Sequence, residues 1–132
     1  MQFRALAAVT ALLCGLSSAT VYGHHSNAMY ERDKVLEVAG TIREFQWTNP
    51  HTFIELTVDG KDGPYEYTVE GPTPGVLRSQ GWKFNTLKAG DKVTVKVHPL
   101  KSGRIGGGLI SVTKDGVTIN AGNATQTDKS VK

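Results

Sequence analysis

Apolar and polar residues alternate along most of the chain after residue 34, which is the period-two pattern of β-strands. The first run spans residues 35–47, where the apolar positions keep one parity up to Ile42 and then change to Phe45 and Trp47. The same run contains Gly40. A strand that changes its buried face midway, with an internal glycine, is typical of a coiled strand shared by two sides of a barrel.

Further strand-like segments follow the first one, and they are residues 52–58, 65–70, 93–97, 104–114 and 117–119. The Asp- and Gly-rich segment 59–63 predicts a hairpin turn between the first two of them. The last long strand is entered through the glycine triplet 106–108, which we interpret as a strand bend.

The segment between the third and fourth strands is different, because it carries helix signals. Thr73 suits an N-cap, Pro74 suits the first helical position and Gly81 suits the residue after the end. Three strands, a short helix and two strands is the order of the OB-fold. We therefore predict an all-β fold with one short helix, a small five- to six-stranded OB-fold-like Greek-key barrel. A generic antiparallel sandwich is the alternative, since Gly75 weakens the helix prediction.

The first 23 residues have the order of a secretory signal peptide, with Arg4, an apolar run and then small residues. The apolar run is too short to span a bilayer, so we expect no membrane span in the mature chain. Cleavage after Ala19 and cleavage after Gly23 both fit the small-residue requirement. We expect a periplasmic or secreted bacterial protein with a signal peptide at 1–23, a barrel domain at 24–119 and a disordered polar tail at 120–132.

Removal of a signal peptide would change the cysteine content and the net charge of the chain. Cys14 is the single cysteine and would leave with the signal peptide, so the mature chain would have no disulfide and no thiolate. Loss of Arg4 lowers the formal net charge of +3 by one. Such a small charge is not the dense basic face of nucleic-acid-binding domains, and we expect no nucleic-acid partner.

Several short motifs are spread over the mature chain: His24-His25-Ser26, Ala28-Met29-Tyr30, Gly40-Thr41-Ile42, the stretch 45–51, Gly81-Trp82 and the stretch 87–91. Together they resemble a family of small exported bacterial proteins known as domain of unknown function 6152. The resemblance covers roughly residues 24–119. Members typically carry the double histidine directly after the cleavage point, which favours cleavage after Gly23. The resemblance implies no activity, because none is established for the family.

The candidate metal ligands are the four histidines, His24, His25, His51 and His98. If cleavage follows Gly23, the α-amine and imidazole of His24 can chelate one ion, and a second imidazole would complete a three-nitrogen site that suits Cu(II). His51 is the preferred second imidazole, His98 is the remaining option, and His25 is placed to bind a separate ion. The competing interpretation is a solvated double histidine and a His51 that only satisfies backbone groups in its turn.

Phe45, Trp47 and Trp82 are candidates for a ligand surface that takes a peptide or a saccharide. The competing interpretation is that these rings close the ends of a small barrel. No catalytic constellation is recognisable, because Ser26 and His25 have no placed acid and Glu70 is expected to be solvated on a strand surface. We therefore predict a binding protein rather than an enzyme. Its partner is a metal ion, a small ligand or, if it is a structural accessory domain, another cell-envelope protein.

Overall fold

The strands of this protein form one closed sheet, with a short helix set into one of the connections. The computed structural model describes residues 27–122. Its elements are a 3-10 helix (Asn27–Met29), β1 (Leu36–Gln46), β2 (Phe53–Gly60), β3 (Gly63–Glu70), α1 (Pro74–Ser79), β4 (Lys92–Pro99), β5 (Gly107–Lys114) and β6 (Val117–Asn120). The predicted all-β fold with one short helix is confirmed.

The strand order β3-β2-β1-β4-β5-β6 makes a five-stranded barrel with β6 added to β5. The barrel closes where β3 and β5 run parallel, through the pairs Val69–Gly107 and Glu70–Gly108. Neighbouring strands are otherwise antiparallel. This closure, with α1 between β3 and β4, is the predicted OB-like Greek-key barrel and excludes the sandwich alternative.

Strand β1 is the long strand that pairs with a neighbour on each side of the barrel, as the change in its alternation of apolar positions predicts. Its first part pairs with β4, from Leu36 to Thr41, and its second part pairs with β2, from Thr41 to Gln46. The register shifts between Ile42 and Glu44. This bulge lets Ile42 and Phe45 both turn inward, although they are an odd number of residues apart.

The core fills the barrel and extends under α1. Its buried apolar residues are Val38, Ile42, Ile54, Leu56, Val58, Tyr67, Val69, Leu77, Trp82, Leu87, Val93, Val95, Val97, Val112 and Ala121. The helix begins as its signals predict, since Thr73 Oγ1 accepts a hydrogen bond from Val76 N at 3.2 Å and Pro74 occupies the first turn. Leu77 of this helix and Trp82 beyond it cover one end of the barrel.

Two predicted boundaries differ from the structure. Strand β5 begins at Gly107 rather than at Arg104, because the backbone of Gly106 has a φ of 144° that is not extended. A Cβ at Gly107 would lie 2.8 Å from the carbonyl oxygen of His98, so glycine is what permits the close approach at the closure. At the other end, β6 includes Asn120 and Ala121 is buried, so the barrel continues two residues past the predicted limit at residue 119.

The predicted signal peptide at 1–23 and most of the predicted tail, residues 123–132, lie outside the described residues. Within the part of the chain that the structure describes, no helix is long and apolar enough to cross a membrane.

Candidate functional site

The segment that follows the N-terminal histidines runs along the barrel beside the connection between β4 and β5. Tyr30 forms a β-bridge with Leu100, and Lys101 N donates to Met29 O at 2.8 Å. One residue further on, Glu31 N donates to Pro99 O at 2.9 Å. The ring of Tyr30 packs over the backbone of Gly108 and is only 8% exposed. The barrel therefore fixes the position of the segment from Met29 to Glu31.

Tyr30 and Glu70 form the hydrogen bond that ties this segment to β3. The phenol of Tyr30 donates to Oε2 of Glu70. Burial raises the pKa of Tyr30 well above its ordinary value, and the hydrogen bond to the Glu70 carboxylate and the charge of that carboxylate raise it further. Tyr30 is therefore a proton donor throughout the physiological range.

His51 lies on the other side of the same carboxylate. Its Nδ1 is 3.2 Å from Oε1 of Glu70 and 3.2 Å from the carbonyl oxygen of Gly71. Because both neighbours are acceptors, Nδ1 must carry the proton, and the neutral ring then has its lone pair on Nε2. No hydrogen bond or ion pair to Nε2 occurs among residues 27–122. The side chain of His51 is 34% exposed.

Backbone hydrogen bonds hold His51 in this position. Thr48 Oγ1 donates to the carbonyl oxygen of His51 at 2.7 Å, and the Asn49–Pro50 peptide bond is cis. Next along the chain, Thr52 N donates to Pro72 O, and Gly71 N donates to Thr52 O. The loop between β1 and β2 is thus fixed to the connection that directly follows Glu70, the last residue of β3.

His98 has a different environment. It lies near the end of β4, opposite Gly108, and its Nδ1 is 2.8 Å from the carbonyl oxygen of Lys34. That acceptor also places the proton on Nδ1 and the lone pair on Nε2. His98 therefore contacts a neutral carbonyl group, whereas His51 also contacts a carboxylate.

The two described histidines do not make a metal site by themselves. Within residues 27–122, no group of three or more His, Cys, Asp or Glu side chains is arranged to hold a metal ion. His24 and His25, the other two predicted ligands, lie outside the described residues.

The three aromatic candidates lie together, but not on one surface. Phe45 packs edge-on against Trp47 with ring centroids 5.6 Å apart, and its centroid is 5.9 Å from that of Trp82. Trp82 is 1% exposed and its Nε1 donates to Asn120 O at 2.7 Å. Trp82 therefore belongs to the core, as the barrel-packing interpretation predicts. Trp47 is half-buried beneath the guanidinium of Arg78, which lies 5.5 Å from the ring centroid.

A pocket of about 360 Å³ opens next to Tyr30 and Glu70 on the outer surface of β2 and β3. Its lining residues are Met29, Tyr30, Phe53, Thr68, Glu70, Leu100, Arg104, Ile105, Gly106 and Gly107. Glu70 was expected to be solvated, and this expectation is wrong, because the side chain is 18% exposed and bonded on both oxygens.

The comparisons with known proteins agree with the motifs in the sequence. A family model described as a family of unknown function, DUF6152, matches residues 11–109. A search of curated proteins found no match. The match spans most of the chain, including the described histidines and the Tyr30–Glu70 pair. The chain belongs to the family of unknown function DUF6152.

Proposed function

We propose that the mature protein begins at His24 outside the cytoplasm and binds a Cu(II) ion there. The α-amino nitrogen and the imidazole of His24 supply two ligands, and Nε2 of His51 supplies the third. Three nitrogen ligands in a roughly planar arrangement suit Cu(II) well among the divalent first-row metals. The observation that carries the proposal is the contact between His51 Nδ1 and the Glu70 carboxylate.

That contact is of the kind that orients metal-binding histidines in proteins. Metal-ligating histidines usually donate their other ring N–H to a carboxylate or a carbonyl, which fixes the tautomer and raises the basicity of the ligand nitrogen. His51 has both acceptors, Glu70 and Gly71, on Nδ1. The carboxylate also compensates part of the charge of an ion at Nε2. His98 lacks this compensation, which is why we prefer His51.

The length of chain before Tyr30 also supports the proposal. His24 is six residues before Tyr30, and six residues span at most about 20 Å even when fully extended. Tyr30 and His51 bind the two oxygens of one carboxylate, so their side chains share a partner. A span of this length is compatible with a contact between the N-terminal amine and Nε2 of His51. Because the amine and imidazoles must be deprotonated, binding should weaken below about pH 6.

The proposal is tested by removing each described histidine in turn. In a chain that begins at His24, we expect His51→Gln to lose one nitrogen from the Cu(II) electron paramagnetic resonance spectrum. Its affinity should fall by more than the roughly 10–100-fold that loss of an outer-shell partner costs. The matched control, His98→Gln, should leave spectrum and affinity unchanged. Equal spectra for His51→Gln and the parent chain would contradict the proposal.

A second candidate is an interaction module that takes a peptide or a saccharide at Trp47. The half-buried ring of Trp47 and the guanidinium above it supply an apolar face and a polar edge. An interaction surface of this kind would also suit an accessory domain of a cell-envelope complex. This alternative differs from the first in one respect that is simple to measure: its binding does not depend on which residue begins the chain.

A further inference from the structure

We propose that the pocket beside Tyr30 binds a small amphipathic carboxylate. The apolar body of the ligand packs between Met29, Phe53, Leu100 and Ile105, and its carboxylate binds the guanidinium of Arg104. This proposal does not depend on metal binding, because none of these groups is a proposed metal ligand. It assigns a ligand class to a surface that is separate from the aromatic residues around Trp47.

The walls of the pocket are held in place before any ligand arrives. One wall is the N-terminal segment, tied down where Lys101 N donates to Met29 O at 2.8 Å. The neighbouring part of the lining is the loop between β4 and β5, where Tyr67 Oη donates to Gly106 O at 3.1 Å. Leu100 N also donates to Gly106 O, at 3.4 Å, across the base of that loop. A pre-formed site binds with a smaller ordering cost than one that must assemble.

The two charged side chains that line the pocket, Glu70 and Arg104, differ in their bonding to the rest of the described chain. Both oxygens of Glu70 are engaged, one by Tyr30 and one by His51. The hydroxyl of Thr68 donates to Glu55 at 2.7 Å. The guanidinium of Arg104, in contrast, makes no ion pair with any residue from 27 to 122. A planar guanidinium pairs best with a planar anion such as a carboxylate, through two parallel hydrogen bonds.

The apolar groups of the pocket indicate what the rest of the ligand is. Ile105 is 60% exposed and Met29 is 45% exposed, although both line the pocket beside the partly buried ring of Phe53. Covering them with a hydrocarbon chain removes apolar surface from water. The volume is at the low end of the range for small-molecule sites. The pocket therefore fits a short-chain monocarboxylate better than an extended polymer.

The test uses the metal-free mature chain and three probes that share an eight-carbon chain: octanoate, octanamide and octylammonium. Calorimetry should show the tightest binding for octanoate, by at least about tenfold over octanamide, as expected for a charge-assisted hydrogen bond. Amide resonances of Gly106 and Gly107 should shift on addition of octanoate. Octylammonium should bind most weakly, because it brings a second positive charge to Arg104.

Substitution of Arg104 distinguishes recognition of the ligand's carboxylate from non-specific binding of its hydrocarbon chain. Arg104→Gln should remove the preference for octanoate over octanamide, while Lys61→Gln makes the same charge change in the distant β2–β3 turn and should keep it. Both positions are exposed, and circular dichroism confirms the fold of each variant. Equal binding of octanoate and octylammonium, or an unchanged preference in Arg104→Gln, would overturn the proposal. So would tighter binding of an acetylated dipeptide with a free carboxylate, which would assign the pocket to peptide termini.

Discussion

The imidazole Nδ1 of His51 lies 3.2 Å from Oε1 of Glu70, the carboxylate whose other oxygen accepts the phenol proton of Tyr30. This arrangement joins three segments that are far apart in sequence: the N-terminal segment, the loop between β1 and β2, and the end of β3. It couples the position of Tyr30 to that of His51, the proposed metal ligand. Single substitutions can therefore test its effect on stability and on metal affinity.

The hydrogen bond from Tyr30 to Glu70 should contribute to stability. Tyr30→Phe keeps the buried ring but removes the hydroxyl, so we expect the free energy of unfolding at pH 7 to fall by about 2 kcal/mol, the usual worth of a hydrogen bond to a charged group. Urea unfolding measures this as a lower midpoint with an unchanged slope. An unchanged midpoint would show that the bond to Glu70 contributes nothing net.

The same variant should differ from the parent chain in alkali. The folded state raises the pKa of Tyr30, by burial first and by Glu70 second, so an unfolded chain loses this proton at a lower pH than the folded one. The resulting stability is fully present below the unfolded pKa of about 10 and is lost as the pH rises above it. In Tyr30→Phe, the free energy of unfolding should fall less steeply with rising pH than in the parent chain. Some dependence of the stability on pH should remain in this variant, because burial also raises the pKa of Tyr67.

Asp91 should contribute to stability with the opposite dependence on pH. The ammonium of Lys114, whose Nζ is 2.7 Å from Oδ2, and the backbone N–H of Lys88 hold the pKa of Asp91 below its ordinary value. A lowered pKa stabilises the fold above the unfolded value of about 3.9, and the benefit is lost as the pH falls through the folded pKa.

Asp91→Asn should therefore lower the urea midpoint at pH 7 and have the same midpoint as the parent chain near pH 2. Asp62→Asn removes an exposed carboxylate in the turn between β2 and β3 that makes no ion pair with the described residues. Its midpoint should follow that of the parent chain at both values of pH. A deficit in Asp91→Asn that persists at pH 2 would mean that packing of the turn, and not the charge, is responsible.

Closure of the barrel should depend on the absence of a side chain at Gly107. A methyl group there would lie 2.8 Å from the carbonyl oxygen of His98 and 2.9 Å from the side chain of Val97. We expect Gly107→Ala to destabilise the fold by about 1–3 kcal/mol, the usual cost of overpacking. Gly75→Ala is the matched control. Its Cβ would meet only Thr73 Oγ1 at 3.7 Å within the first turn of α1, so it should stabilise the fold by about 0.5–1 kcal/mol.

How far the fold can be predicted from sequence depends on whether a feature is local. The strand pattern, the Thr73 cap and the bulge after Ile42 all follow from neighbouring residues, and the structure confirms them. The burial of Trp82 depends on contacts with distant residues such as Asn120, so the sequence alone leaves both its surface and its core interpretations open.

The candidate site shows the same limit. His51 is recognisable from its residue type and its place after β1. Glu70 is not recognisable, because it occupies an alternating polar position like any solvated strand residue. Its partners, Tyr30 and His51, lie 40 and 19 positions away in the sequence. The pocket likewise depends on where β3 meets β5, which no local pattern indicates. The sequence predicts Arg104 at the start of a strand, whereas the structure places it in the loop before β5.

Glu70 should set the metal affinity through His51 without touching the ion. In a chain that begins at His24, Glu70→Gln keeps an acceptor oxygen but removes the charge that compensates the ion. We expect Cu(II) to bind about 10–100-fold more weakly, as for other outer-shell partners. Glu66→Gln, on the same strand but paired with Arg43, is the control and should keep the parent affinity. Equal affinities for the two variants would place His51 outside the metal site.

The requirement for His24 as the first residue is tested by two otherwise identical chains, one beginning at His24 and the other at Thr20. Calorimetric titration with Cu(II) at pH 7 should give a saturable 1:1 heat for the first chain. For the second chain it should give no high-affinity transition, because the amine is then no longer on the residue that carries the imidazole. Equal binding by both chains, or no heat above buffer for the chain that begins at His24, would contradict the proposed metal site.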